Sequence, residues 1–70
     1  MLTVATRGER LREARRRAML SQEELAEQTG VGVATIIRIE NDQLRTAPHY
    51  GTLRKLARAL EIEATELLED

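Results

Sequence analysis

Between residues 32 and 40, two side chains can donate a hydrogen bond, Thr35 and Arg38. The guanidinium of Arg38 is a planar fork that matches guanine O6 and N7, or a phosphate oxygen. The Thr35 hydroxyl is shorter and suits a phosphate or the start of a helix. Around them stand Gly32, Val33, Ala34 and Ile37, which carry no side-chain donor or acceptor. Such groups offer a duplex only apolar contact, above all with thymine methyls.

Bond-making chemistry has little to work with. The chain has one histidine, His49, and no cysteine, and its acids are scattered over polar stretches. No nucleophile is spaced against a base, and no thiolate metal set exists. A metal site would need His49 together with a loop acid such as Asp42. The turn Gly30–Val31–Gly32 has two glycines but lacks the lysine and spacing of a nucleotide loop. Neither an enzyme nor a cofactor or metal is expected.

The elements that must position Thr35 and Arg38 lie in SQEELAEQTGVGVATIIRIE, about residues 21–40. Ser21 followed three residues later by Glu24 is a capping box, which starts a helix by satisfying its free amides. Leu25 and Ala26 are its inward positions. Gly30 suits the left-handed turn that a side chain resists, and Val31 returns to the core. A second helix then begins near Gly32 or Val33. Two short helices across a glycine turn are the layout of a DNA-binding helix-turn-helix, with the second helix, about 33–40, in the major groove.

The rest reads as helix. One helix runs from about Thr6 or Arg7 to Arg17, with Leu11, Ala14 and Ala18 on one face. Pro48 interrupts a polar loop over 41–50. A fourth helix covers roughly 51–60, where Leu53, Leu56, Ala57 and Leu60 form an i, i+3, i+4, i+7 stripe. A short fifth helix near 65–69 buries Leu67. Seventy residues with one aromatic, Tyr50, give a single all-α domain over 1–70 with an aliphatic core. No apolar run reaches the length of a membrane span, so a cytoplasmic protein is expected.

The net charge of −1 hides an asymmetry: residues 1–17 hold six arginines and two glutamates, residues 61–70 five acids and no base. A basic end is what a phosphate backbone attracts. Arg12 and Arg16 fall on the outer side of the first helix, and Arg10 and Arg17 near its ends, and most of these arginines read as a solvated face. Arg54 and Lys55 read as surface charges, and Arg58 as a partner for Glu61 or Glu66.

The blocks GERLREAR, LSQEELAEQTGV, TIIRIEN and TLRKLARAL–IEATELL, with their spacing, resemble the lambda-repressor-like (Cro/Xre) helix-turn-helix family from about Gly8 to Leu68. The resemblance implies a compact five-helix domain, usually a homodimer on a two-fold-symmetric operator. It implies that Gln22 contacts a phosphate and sometimes a base edge, and that Asn41 and Arg45 bind the DNA backbone, with His49 near another phosphate position. It implies an ion pair of Arg15 with Glu40 that braces the recognition helix.

This sequence departs from the family at Gly32, Val33, Ala34 and Ile37, where members usually carry polar base-reading residues. Periodicity alone leaves two registers open, since Val33, Ile36, Ile37 and Glu40 also form a helical row. The family register buries Ile36 and Ile39 and turns Val33, Ala34 and Ile37 outward. That apolar face would read thymine methyls with help from DNA shape, bind a protein, or be partly covered by a neighbour. The function implied is a sequence-specific regulator binding double-stranded DNA, of repressor or antitoxin type, with a toxin or other protein as a further partner. The rival is a protein-interaction module that uses the fold without DNA. Leu60, Ile62, Leu67 and Leu68 would form the apolar surface of a homodimer at the C-terminal end, and a monomer that pairs only on DNA is equally compatible.

Overall fold

The computed structural model describes residues 5–68 as five helices: α1 (Arg7–Arg17), α2 (Gln22–Thr29), α3 (Val33–Glu40), α4 (Tyr50–Leu60) and α5 (Thr65–Leu68). The sequence boundaries agree with these to within a residue; Glu69, expected at the end of the last helix, lies outside the described residues. Two helices start in the same way. Ser21 and Glu24 exchange side-chain and backbone bonds of 2.8 and 3.0 Å ahead of α2. Thr6 and Glu9 do the same ahead of α1, at 2.9 and 3.1 Å. Each box satisfies two amides that would otherwise lack partners.

Gly30 ends α2 at φ +76°, with its amide donating to the Ala26 carbonyl. The left-handed turn brings α3 back against α2 and α1. Leu11, Ala14, Leu25, Ile36, Ile39, Leu53, Leu56, Ala57, Leu60 and Leu67 form one buried cluster drawn from all five helices. Ala18 is not part of it. It caps the C-terminus of α1 and is exposed, because the helix ends one position before the periodic face would have used it.

Helix α5 has only four residues, too few to satisfy its own last carbonyls. Arginines of α1 supply the donors. Arg7 Nε and Nη2 donate to the Leu67 and Leu68 carbonyls at 2.6 and 3.0 Å, and Arg10 Nε donates to that of Glu66 at 2.5 Å. Leu60 and Leu67, expected on a dimer surface, are instead buried within the chain's own core. Ile62 and Leu68 remain half-covered.

Candidate nucleic-acid interface

Helix α3 is held by its inner face. Ile36 and Ile39 are buried, and Glu40 beside them is 2 % exposed. Ile37 is only half-covered, which selects the register that turns it outward. Val33 and Thr35 are likewise half-covered, while Gly32, Ala34 and Arg38 are exposed. The outward apolar face therefore shows Ala34 fully, with Val33 and Ile37 in part. Gly32 occupies the N-cap of α3 and makes no side-chain cap bond.

A buried carboxylate needs partners, because unpaired charge in the interior is very costly. Glu40 has several. Arg15 grips it with two bonds, Nε to Oε2 at 2.6 Å and Nη2 to Oε1 at 3.1 Å. Gln22 Nε2 donates to Oε1 at 3.1 Å, and Arg12 Nε lies 3.5 Å from the same oxygen. Burial alone would push this carboxyl up. The hydrogen bonds from Arg15, Gln22 and Arg12, with the Arg15 charge, outweigh it and hold the group below its ordinary range. The hydrogen bond to Glu40 raises Arg15 in turn, against the opposing effect of burial. Arg15 Nη1 also donates to the Leu20 carbonyl at 2.9 Å, so the turn before α2 is fixed to the same guanidinium. One carboxylate thereby joins α1, α2 and α3.

The expected site residues surround this joint in different ways. Gln22 is the first residue of α2, half-buried, with its amide nitrogen turned toward Glu40. Asn41 caps the C-terminus of α3 and is exposed, and its Oδ1 accepts from Arg12 Nη2 at 2.7 Å. Arg12 is thus not on the outer side of α1 as expected. Its Nη2 also donates to the Glu40 carbonyl at 3.2 Å, drawn in by the carboxylate and the open carbonyl at the end of α3. Arg38 and Arg45 are exposed, and neither enters an ion pair among the described residues. His49 is the exposed N-cap of α4. Arg58 makes no ion pair with Glu61 or Glu66, the pairing its sequence spacing suggested.

Two structural residues went unread. Asp42 sits at φ +54° just past α3 and accepts from Thr6 Oγ1 at 2.7 Å and from the Gly8 amide at 3.1 Å. Gly8 lets the end of α3 and that loop come close: a methyl group there would clash with the Ile39 carbonyl oxygen and lie 2.6 Å from that of Glu40 and 2.8 Å from Asp42 Oδ1. The Thr6–Glu9 box is visible in the sequence as a T-x-x-E, the counterpart of the S-x-x-E at Ser21–Glu24. Nothing local marks Asp42 or Gly8.

The geometry has close counterparts. The chain is 46% identical over 55 residues to the HTH-type transcriptional repressor RghR of Bacillus subtilis, covering 79% of this chain. It spans about two fifths of the length of the curated relatives it matches. The N-terminal DNA-binding domain of SinR from Bacillus subtilis superposes with a TM-score of 0.83 at 28% identity, over 91% of each chain. The restriction-modification controller protein C.AhdI from Aeromonas hydrophila does so with a TM-score of 0.77 at 39% identity, over 87% of this chain and 89% of that one. A helix-turn-helix family (HTH_3) matches residues 11–67, and the five-helix fold is that of lambda- and P22-repressor-like domains. The chain belongs to the Cro/C1-type helix-turn-helix family of DNA-binding transcription regulators.

Proposed function

We propose that α3 enters the major groove of an operator and that the chain acts as a sequence-specific transcriptional repressor. The observation that carries this reading is the Glu40 joint. It fixes α3 against α1 and α2 from inside and leaves Ala34 and Arg38 free on the outer side. Arg38 then supplies the polar base or phosphate contact, and Val33, Ala34 and Ile37 pack against thymine methyls, with Gly32 and Thr35 at the helix entry. Gln22, Asn41 and Arg45 serve the DNA backbone. SinR, similar over the same span, has been solved in complex with DNA, which supports the assignment, as does the repressor RghR.

Two copies on a two-fold-symmetric site suit the family. Their contact draws on Ile62, Leu68 and the 68 % exposed Tyr50, since Leu60 and Leu67 are already buried. The working compartment is the cytoplasm, wherever that holds the DNA; among the described residues no helix is long and apolar enough to cross a membrane. Selection of binding sites from random duplex DNA tests the whole reading. The expected result is a palindrome with half-sites about one helical turn apart, rich in A·T pairs where α3 lies. Recovery of no enriched sequence would sink it.

A further inference from the structure

We infer that Arg12 is a positioning residue for DNA binding: it turns the amide of Asn41 so that the NH2 group, and not the carbonyl, faces the phosphate backbone. The inference rests on the reading above that Asn41 meets that backbone. Arg12 Nη2 lies 2.7 Å from the side-chain amide of Asn41 and 3.2 Å from the Glu40 carbonyl oxygen. A guanidinium carries five donors and no acceptor, so the amide end that meets it must be the oxygen. Asn41 is exposed at the C-terminus of α3, where its remaining end is open to solvent. The outward group is thus two N–H donors, the polarity a phosphate requires. Without Arg12, the amide is free to rotate and to present its carbonyl to the same anionic surface.

The guanidinium is itself held. Its Nε lies 3.5 Å from buried Glu40 Oε1, and its side chain is 35 % exposed. Its charge is committed to the interior joint, in contrast to the exposed Arg38 and Arg45. Arg12 therefore influences DNA affinity through a neutral side chain and not as a phosphate-neutralising charge. That distinction is measurable. A cation removed from a phosphate contact lowers the slope of log affinity against log salt by about one unit, whereas an amide contact releases no counterion.

The test measures binding to mixed-sequence duplex DNA by fluorescence anisotropy over a salt series, with Arg12→Ala, Arg12→Lys, Asn41→Ala and the double variant Arg12→Ala/Asn41→Ala. Thermal melts identify a temperature at which every variant is folded. Asn41→Ala and Arg12→Ala should each weaken binding by about tenfold. The double variant should be no weaker than Asn41→Ala, and the salt slope should be unchanged in all. Arg12→Lys keeps one donor for the Asn41 oxygen and should recover part of the loss. In the free protein, the Asn41 side-chain NH2 resonances should move in Arg12→Ala and return toward their places in Arg12→Lys. If Asn41→Ala binds as tightly as the unaltered chain, the backbone role of Asn41 is wrong. If Asn41→Ala is weakened but Arg12→Ala is not, or if the two losses add in full, Arg12 does not act through Asn41. A slope lowered by one in Arg12→Ala would mean that Arg12 touches phosphate itself, which also overturns the proposal.

Discussion

Glu40 is a full charge in a core of leucine, isoleucine and alanine, tolerable only because every oxygen has a donor. Its carboxyl is held below the unfolded value, so the folded state binds fewer protons than the unfolded chain near the ordinary carboxylate range. The resulting stability is complete above about pH 4.3 and is lost as pH falls through the lower folded value. Urea melts should show stability dropping with acid over that window, and Glu40→Gln should flatten this part of the profile. Removing one partner of a buried pair leaves the other uncompensated, at a cost of about 3–5 kcal/mol. Glu40→Ala should thus unfold most of the domain at room temperature, read by circular dichroism. On the outward side, Ile37→Ser should leave the melting temperature within a few degrees, since Ile37 is only half-covered. It should reduce discrimination for T-containing sites while leaving binding to mixed-sequence duplex nearly intact. Loss of both kinds of binding would contradict the groove assignment.

At the level of elements, helix ends account for what could and could not be read from the sequence. Ser21–Glu24, Gly30 and the aliphatic stripe of α4 are local patterns, and they gave the helices to within a residue. Two i, i+3, i+4 rows ran through α3, and neither could be preferred by periodicity. The choice depends on which row meets α1 and α2, a tertiary fact. The turn between α1 and α2 carried no glycine signal at all. Met19 occupies it at φ +59° and is 88 % exposed. An L-residue there costs about 1–2 kcal/mol relative to glycine, and this methionine has no packing to lose. Met19→Gly should raise the melting temperature by about 5 °C, with DNA affinity unchanged. Gly8→Ala should do the reverse. Its methyl group would push the end of α3 away from α1 and the Asp42 loop with it, loosening the Thr6 contact.

Over the whole molecule, the arginines of the first helix read from the sequence as a basic end of which one part meets phosphates and most is a solvated face. Most of it is structural. Arg7 and Arg10 bind α5 carbonyls, Arg12 and Arg15 converge on Glu40, and Arg17 lies 3.7 Å from Glu13. Composition counts charges without saying where each is spent, and so overstated the basic face. In α1 only Arg16 enters neither an ion pair nor a side-chain hydrogen bond among the described residues, and the cations left for phosphates lie on later elements, Arg45 among them. Arg45→Ala should lower the salt slope of binding by about one unit per bound copy, whereas Arg16→Ala should leave it unaltered. Equal effects from the two would restore the first helix as a DNA-facing surface.

The clasp of Arg7 and Arg10 on α5 joins residues about sixty positions apart. A nascent chain emerges amino end first, so α1 exists well before the carbonyls its arginines are built to meet. Until Leu67 has been made, the core lacks one of its buried side chains and those guanidinium groups lack their α5 acceptors. The helix-turn-helix is complete in sequence by residue 40, but the buried cluster behind it is complete only once Leu67 of α5 joins it. A synthesis interrupted in α4 would leave a fragment with every DNA-facing residue and the Glu40 joint, but without the Leu67 side chain and the α5 carbonyls that close the core against α1.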